Sequence, residues 1–205
     1  MKIIIKPPKV IRKLFKSLIW ERKNNQKEIW LTFDDGPHPK TTDFILKTLK
    51  EENIKATFFL VGEQIEAFPD LYKKIKLQGH TIGNHTYSHL NGWLTKNKIY
   101  FKDIENCQKI MPKNLLFRPP YGKLSFWQIK KLKKQFKLVL WDVLSGDYKK
   151  NITSLKVQEN ILKHTESGSI IVMHNNKNSL AKIKPILKST IRELKRKKFK
   201  FRSTW

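Results

Sequence analysis

Two histidines four residues apart, in His85-Thr86-Tyr87-Ser88-His89, and two adjacent carboxylates, in Thr32-Phe33-Asp34-Asp35-Gly36-Pro37, are the side chains of this sequence best suited to chemistry. Histidines at i and i+4 share a helical face, where two imidazoles can converge on one ion. Adjacent carboxylates allow a division of labour: one ligates and neutralises a cation, the other stays free as a base toward water. In a regular strand Asp34 and Asp35 point to opposite faces, so a shared site requires a turn, which Gly36 and Pro37 supply. Asp35, His85 and His89 together make a borderline cation site suited to zinc. A position left open for water or substrate marks such a site as catalytic rather than structural. Taken singly, each feature also has a plainer reading: Asp-Asp-Gly is a common solvated turn, and two of six histidines can fall at this spacing by chance.

Three further segments carry candidate groups. Arg118-Pro119-Pro120-Tyr121-Gly122 has prolines that lock the backbone, so the loop can aim Arg118 and a main-chain N–H, such as that of Tyr121, at a fixed point. Trp141-Asp142-Val143-Leu144-Ser145-Gly146-Asp147-Tyr148 sets carboxylates beside aromatics, a combination that suits sugar rings or the ordering of an arginine. His174 closes the apolar run 169–173, at a position where a histidine titrates usefully if other polar groups gather beside it.

Apolar, β-branched runs at 29–33, 56–61, 115–117, 138–141 and 169–173, with a shorter one at 80–83, read as buried strands. Helical spacing fills 41–52, 63–78, 97–110, 125–135, 155–165 and 179–197. This alternation predicts an α/β fold, mainly parallel strands wrapped by helices, as an open sheet or a barrel. In such folds function gathers at the carboxyl ends of strands, where the polar segments above fall.

Thr-Phe-Asp-Asp-Gly-Pro, His-x-x-x-His and Arg-Pro-Pro-Tyr-Gly, intact and in this order, resemble the polysaccharide deacetylase family, the NodB-homology domain of carbohydrate esterase family 4. The resemblance runs from about Ile29 to His174. It implies a distorted (β/α) barrel and a metal-dependent hydrolase that removes acetyl groups from a carbohydrate, most commonly from N-acetylglucosamine units of an oligo- or polysaccharide. By the same resemblance Asp35, His85 and His89 bind one divalent cation, zinc foremost, with cobalt or nickel as substitutes. Asp34 is the general base, His174 the general acid, and the Tyr121 backbone N–H stabilises the oxyanion. Arg118 orients Asp34, Asp147 holds Arg118, and Val172 and Tyr148 line the substrate pocket. The chain departs from the family pattern at Tyr148, where Trp is typical, at Leu144, where Asp is frequent, and at Asn175, where Asp often follows the acid histidine. Two other readings stand beside this one: an inactive basic glycan- or membrane-binding protein on the same fold, and a hydrolase of non-sugar amides. The presence of Asp34, Asp35, His85, His89 and His174 together counts against the first.

A length of 205 residues suits one domain, read as a basic N-terminal segment, 1–26, packed on a domain of residues 27–205. Forty-three Lys plus Arg against 17 Asp plus Glu give a net charge of +26, which draws anions to the surface. The excess is nearly all Lys, whereas base and phosphate recognition leans on the arginine fork, so a solvated basic surface is expected and no nucleic-acid partner. Cys107 is the only cysteine, and an intrachain disulfide is excluded. No apolar run reaches membrane-span length, and Pro7, Pro8, Lys9, Arg12, Lys13 and Lys16 interrupt any signal-like core, so the chain reads as mature from Met1. Residues 10–19 place Ile11, Leu14, Phe15 and Leu18 on one helical face, expected to pack on the domain or to lie on an anionic membrane surface. The location expected on these grounds is cytoplasmic or peripheral at the inner membrane surface.

Overall fold

The period of two along a strand decides which residues of this chain reach the site. In β1 (Glu28–Asp34), Ile29, Leu31 and Phe33 enter the main core beneath the helices, whereas Trp30 enters a separate cluster on the other face, which Thr32 and Asp34 share. β7 (Ile170–His174) pairs with β1 in register, Thr32 opposite Val172 and Asp34 opposite His174. Ile171 and Met173 therefore face the helices, and Ile170, Val172 and His174 line the inner face.

The computed structural model describes residues 4–205; Met1, Lys2 and Ile3 of the basic N-terminal segment lie outside the described residues. After α1 (Lys9–Leu14) and β1 come α2 (Pro39–Glu51), β2 (Thr57–Leu60), α3 (Gly62–Ala67), α4 (Pro69–Leu77), β3 (Thr81–Asn84), α5 (Asn97–Ile110) and β4 (Leu116–Phe117). A 3-10 turn (Pro120–Gly122) leads to α6 (Phe126–Leu132), β5 (Lys137–Leu138), β6 (Val143–Leu144), α7 (Ser154–His164), β7, α8 (Lys177–Ile183), α9 (Leu187–Arg196) and β8 (Lys200–Phe201). The strands run parallel in the order β5-β4-β3-β2-β1-β7-β6, with β8 against the start of β1. The result is a curled half-barrel wrapped by helices. Between its edge strands runs the N-terminal segment: the Leu140 amide donates to the Ile19 carbonyl (2.8 Å), that of Leu144 to Ile5 (2.9 Å) and that of Arg22 to Gly168 (2.8 Å).

Prolines divide two helices that periodicity reads as continuous. Pro69 begins α4 after a break at Phe68, and Pro185 lies between α8 and α9, because proline offers no amide to the preceding turn. The run 138–141 is strand only as far as Leu138, since the Val139 and Leu140 carbonyls turn to accept from the Arg118 guanidinium. The two-residue strands β6 and β8 are too short for a pattern to reveal. Of the face expected over 10–19, Phe15 and Leu18 pack on the domain while Ile11 and Leu14 stay exposed. No helix of the described residues is long and apolar enough to cross a membrane.

Candidate active site

Five strand ends deliver the site. Asp34 is the last residue of β1 and His174 the last of β7; His85 follows β3, Arg118 follows β4, and Asp147 lies three residues beyond β6. Asp35 turns away from the strand with φ 78°, and a Cβ on Gly36 would overlap the Asn175 amide, so the turn closes against the residue after His174.

His85 and His89 do converge, but not on a helix. Residues 85–90 form a loop in which Thr86 (φ 65°) and His89 (φ 55°) adopt left-handed backbone. Buried side chains hold that shape. The Asn84 carboxamide accepts from the Thr86 amide (2.8 Å), the Asp103 carboxylate on α5 accepts from the Tyr87 (2.8 Å) and Ser88 (3.0 Å) amides, and the Thr86 hydroxyl accepts from Leu90 (3.2 Å). The i, i+4 spacing brought the rings together for a reason other than helical geometry.

The Asp35 Oδ1 atom lies 3.5 Å from His85 Nε2 and 3.2 Å from His89 Nε2, and ligand atoms of all three residues fall within 4.8 Å of one another. His85 Nδ1 is 2.6 Å from the Arg118 carbonyl, which can only accept, so Nδ1 carries a proton and Nε2 is the ring atom turned to Asp35. Without an ion, a proton on each Nε2 bridges imidazole and carboxylate; with those protons gone, the three lone pairs converge on a point that a cation fits. The donor set therefore fits a borderline divalent ion. Burial acts to raise the Asp35 pKa, but hydrogen bonds with His85 and His89 and the charge of His174 outweigh it and hold the carboxyl well below its usual range.

Two charged pairs flank this triad. The Arg118 guanidinium is fully buried and donates through Nη1 to Asp34 Oδ1 and to Thr32 Oγ1, each at 2.7 Å, and through Nη2 to the Leu140 carbonyl (2.9 Å). Burial draws the Arg118 pKa down, and the Asp34 carboxylate opposes it. On the other side, Asp147 accepts from His174 twice, from the ring Nδ1 (2.6 Å) and the amide (2.7 Å), and from Ser145 Oγ (3.0 Å). Burial pulls the His174 pKa down, but the Asp147 carboxylate, with Asp35 and Asp34 behind it, raises it to about 9. The expectation that Asp147 holds Arg118 is therefore corrected. Asp147 serves His174, and Arg118 is fixed by Asp34, Thr32 and two backbone carbonyls. The reason is topological: the carbonyls of residues 139 and 140 reach Arg118 first, whereas the 145–147 turn lies beside β7.

The remaining expected residues surround these groups. Tyr121 has φ 59° in its turn, and its exposed ring stands edge-on to His89 at 4.9 Å. The Tyr148 ring lies 5.1 Å from that of His174, and Val172 is buried one pleat below it. Sequence reasoning missed Asn176. Its Nδ2 donates to Asp35 Oδ2 (2.7 Å) while its Oδ1 caps α8, accepting from the Asn178 (2.9 Å) and Ser179 (3.0 Å) amides. The Asn-x-x-Ser capping box was visible in the sequence; the contact with Asp35 was not.

A family model described as polysaccharide deacetylase matches residues 21–138. The chain belongs to the polysaccharide deacetylase family. A peptidoglycan-N-acetylglucosamine deacetylase of Bacillus cereus is 40% identical over 159 residues, 74% of this chain and 57% of the relative, so the chain spans little more than half of that protein's length. A chitooligosaccharide deacetylase of Azorhizobium caulinodans is 34% identical over 158 residues, covering 74% of this chain and 75% of the relative. The crystal structure of the peptidoglycan N-acetylglucosamine deacetylase Bc1960, in complex with 4-naphthalen-1-yl-N-oxidanyl-benzamide, superposes with a TM-score of 0.87 at 35% identity, over 94% of this chain and 93% of that one. The curled parallel sheet of this polysaccharide deacetylase chain is thus the family fold. The residues before position 21, α1 among them, fall outside the family match.

Proposed function

We propose that this protein is a metal-dependent carbohydrate N-deacetylase that hydrolyses the acetamide of N-acetylglucosamine-type sugars in an oligo- or polysaccharide. The observation that carries the reading is the opposite setting of the two groups flanking Asp35, His85 and His89. A carboxylate is kept beside a buried guanidinium on one side, and an imidazole is kept protonated by a carboxylate on the other. Names of relatives that act on peptidoglycan and chitooligosaccharide support the substrate class.

Asp35, His85 and His89 would hold one divalent cation, zinc in our reading, which when bound supplies Lewis acidity toward the acetyl carbonyl and lowers the pKa of water. Asp34, fixed by Arg118, takes a proton from the attacking water. The Tyr121 N–H donates to the oxygen on which negative charge develops. His174, charged by its contact with Asp147, gives its Nε2 proton to the departing nitrogen as the C–N bond breaks, leaving acetate and the free amino sugar. Tyr148 and Val172 bound the space beside His174.

The test is acetate release from N-acetylglucosamine oligomers and from peptidoglycan, alongside the metal content of the purified protein. Stoichiometric divalent metal, activity lost to a chelator and regained with zinc are the expected outcome. Acetate release unaffected by complete metal removal would refute the metal reading, and no release from any acetylated glycan by the metal-loaded protein would refute the activity.

A further inference from the structure

The helix α1 is amphipathic the wrong way round for a helix lying on its own domain. Its inward anchor is polar: the Arg12 guanidinium donates to Asp142 Oδ1 and Glu21 Oε2, each at 3.0 Å, and the buried Asp142 also accepts from Ser169 Oγ (2.6 Å). Its outward side is aliphatic, with Val10 69% and Leu14 63% exposed one turn apart, and nearby Ile4 64% exposed. None of its residues is buried.

Beside that aliphatic ridge lies a depression of ≈ 550 Å³ whose lining includes Lys9, Arg12, Lys13, Lys16, Lys23 and Trp20. Lys9, Lys13 and Lys16 have no acidic partner among the described residues, and Glu21, the acid of this depression, is taken by Arg12 and Lys23. Lys9 and Lys13 stand one turn apart on a stripe next to that of Val10 and Leu14.

We infer that α1 and its lysines dock this protein on the surface of an anionic lipid bilayer. An aliphatic ridge flanked by several cations is the pattern that inserts side chains at the headgroup boundary while ammonium groups meet lipid phosphates. Charge decides against the alternatives. A second copy would bring the same unpaired lysines face to face on a chain of net charge +26. A soluble polyanion would satisfy the lysines yet leave Val10, Leu14 and Ile4 in water. The Arg12–Asp142 anchor and the Ile19–Leu140 backbone bond fix the segment to the sheet, so the docked helix carries the whole domain with it. This inference is independent of the proposed chemistry, since no residue of α1 touches the site.

The experiment is vesicle co-sedimentation of the full chain with pure phosphatidylcholine and with a 3:1 phosphatidylcholine–phosphatidylglycerol mixture, at low and high salt. The wild type is expected to pellet with the anionic vesicles alone and to be released by salt. Neutralising each lysine lowers partition roughly fivefold, so Lys9→Gln/Lys13→Gln/Lys16→Gln is expected to lose on the order of 100-fold. Val10→Ser/Leu14→Ser is expected to lose binding as well while keeping every charge. These side chains are exposed, so both variants keep the wild-type thermal melt. Equal binding to neutral vesicles, no binding by the wild type, or undiminished binding by either variant overturns the inference. Salt-sensitive binding that survives Val10→Ser/Leu14→Ser would show attachment by charge alone, without insertion of the aliphatic ridge, and so overturn the docking by α1.

Discussion

Replacing Asp147 by Asn removes one charge from the pair that sets His174 and leaves the shape almost unchanged. In the wild type the ring titrates at about 9, against an ordinary value of 6.5, because the Asp147 carboxylate lies 2.6 Å from Nδ1. An Asn at this position must turn its oxygen to the His174 amide, which donates to the second carboxylate oxygen at 2.7 Å, and so presents its NH₂ to Nδ1. That arrangement makes Nδ1 an acceptor and favours the neutral ring, so the pKa falls to about 6.5 or below. If His174 acts as the acid, it must start protonated, and the alkaline limb of the pH–rate profile reports its pKa. With metal-free values of about 9 and 6.5, the protonated fraction at pH 8 drops from about 0.9 to about 0.03, a loss of roughly thirtyfold, and at pH 6 the loss is about 1.3-fold. Burial pulls the uncompensated ring lower still, so both losses are floors, and the loss at pH 8 stays the larger. The assay is acetate release by the zinc-loaded wild type and variant from pH 5.5 to 10. A variant whose activity falls by the same factor at every pH, with its alkaline limb unmoved, would refute the acid assignment. It would show Asp147 to be a structural hydrogen-bond acceptor.

The same pair makes a stability prediction for the metal-free protein. The folded pKa of His174 is raised, so the stabilisation is fully present below pH 6.5 and is lost as pH climbs through about 9. Chemical denaturation across that window should show a falling unfolding free energy in the wild type and a flatter one in Asp147→Asn. Asn176→Ser should keep the α8 cap, since Ser caps nearly as well, but its side chain is too short to reach Asp35. Zinc affinity, measured against a chromophoric chelator, should fall roughly 10- to 100-fold with the melting temperature nearly unchanged. Asp34→Asn should still bind stoichiometric zinc yet lose nearly all turnover. It should also lose on the order of 3 kcal/mol of unfolding free energy, because the buried Arg118 charge loses its carboxylate. Full activity in that variant would remove Asp34 from the base role.

What sequence could and could not tell divides along physical lines. Strand ends are legible because a buried parallel strand must stop where polar residues begin, and Asp34, His85, Arg118 and His174 stand at or next to such stops. Partners across the site are not legible from spacing. Asp147 lies 29 residues from Arg118 and 27 from His174, and only the curl of the sheet decides between them. His85 and His89 were found by a helical rule that does not operate here, since Thr86 and His89 take left-handed backbone and a buried carboxylate from α5, Asp103, holds the loop. At α1 the aliphatic spacing fitted either the domain or a membrane surface, and only Phe15 and Leu18 of that face pack on the domain. A single arginine bound to the buried Asp142 and to Glu21 leaves Val10 and Leu14 outward, because a guanidinium shared by two carboxylates fixes orientation more firmly than a few aliphatic contacts on a six-residue helix.

Half of the unusual backbone gathers at the site. Among the described residues eight that are not glycine have positive φ, and four of them, Asp35, Thr86, His89 and Tyr121, belong to the candidate cation site or its rim. Such backbone persists when its surroundings over-determine it, and each of these stretches is held from outside the site. Asn176 grips the carboxylate of Asp35, and Asp103 and Asn84 grip the loop between the histidines. Two prolines precede Tyr121. None of these supports uses an atom that a cation or substrate would need. His85 shows the consequence best: its outer nitrogen is spent on the Arg118 carbonyl and its inner one is turned to Asp35, so the same arginine residue aligns Asp34 through its side chain and a candidate ligand through its backbone. A substitution of Arg118 should therefore disturb the base directly, and the cation affinity only as far as losing the buried guanidinium's bonds shifts the carbonyl of residue 118. A variant that disturbs one without the other would separate the two couplings that this geometry joins.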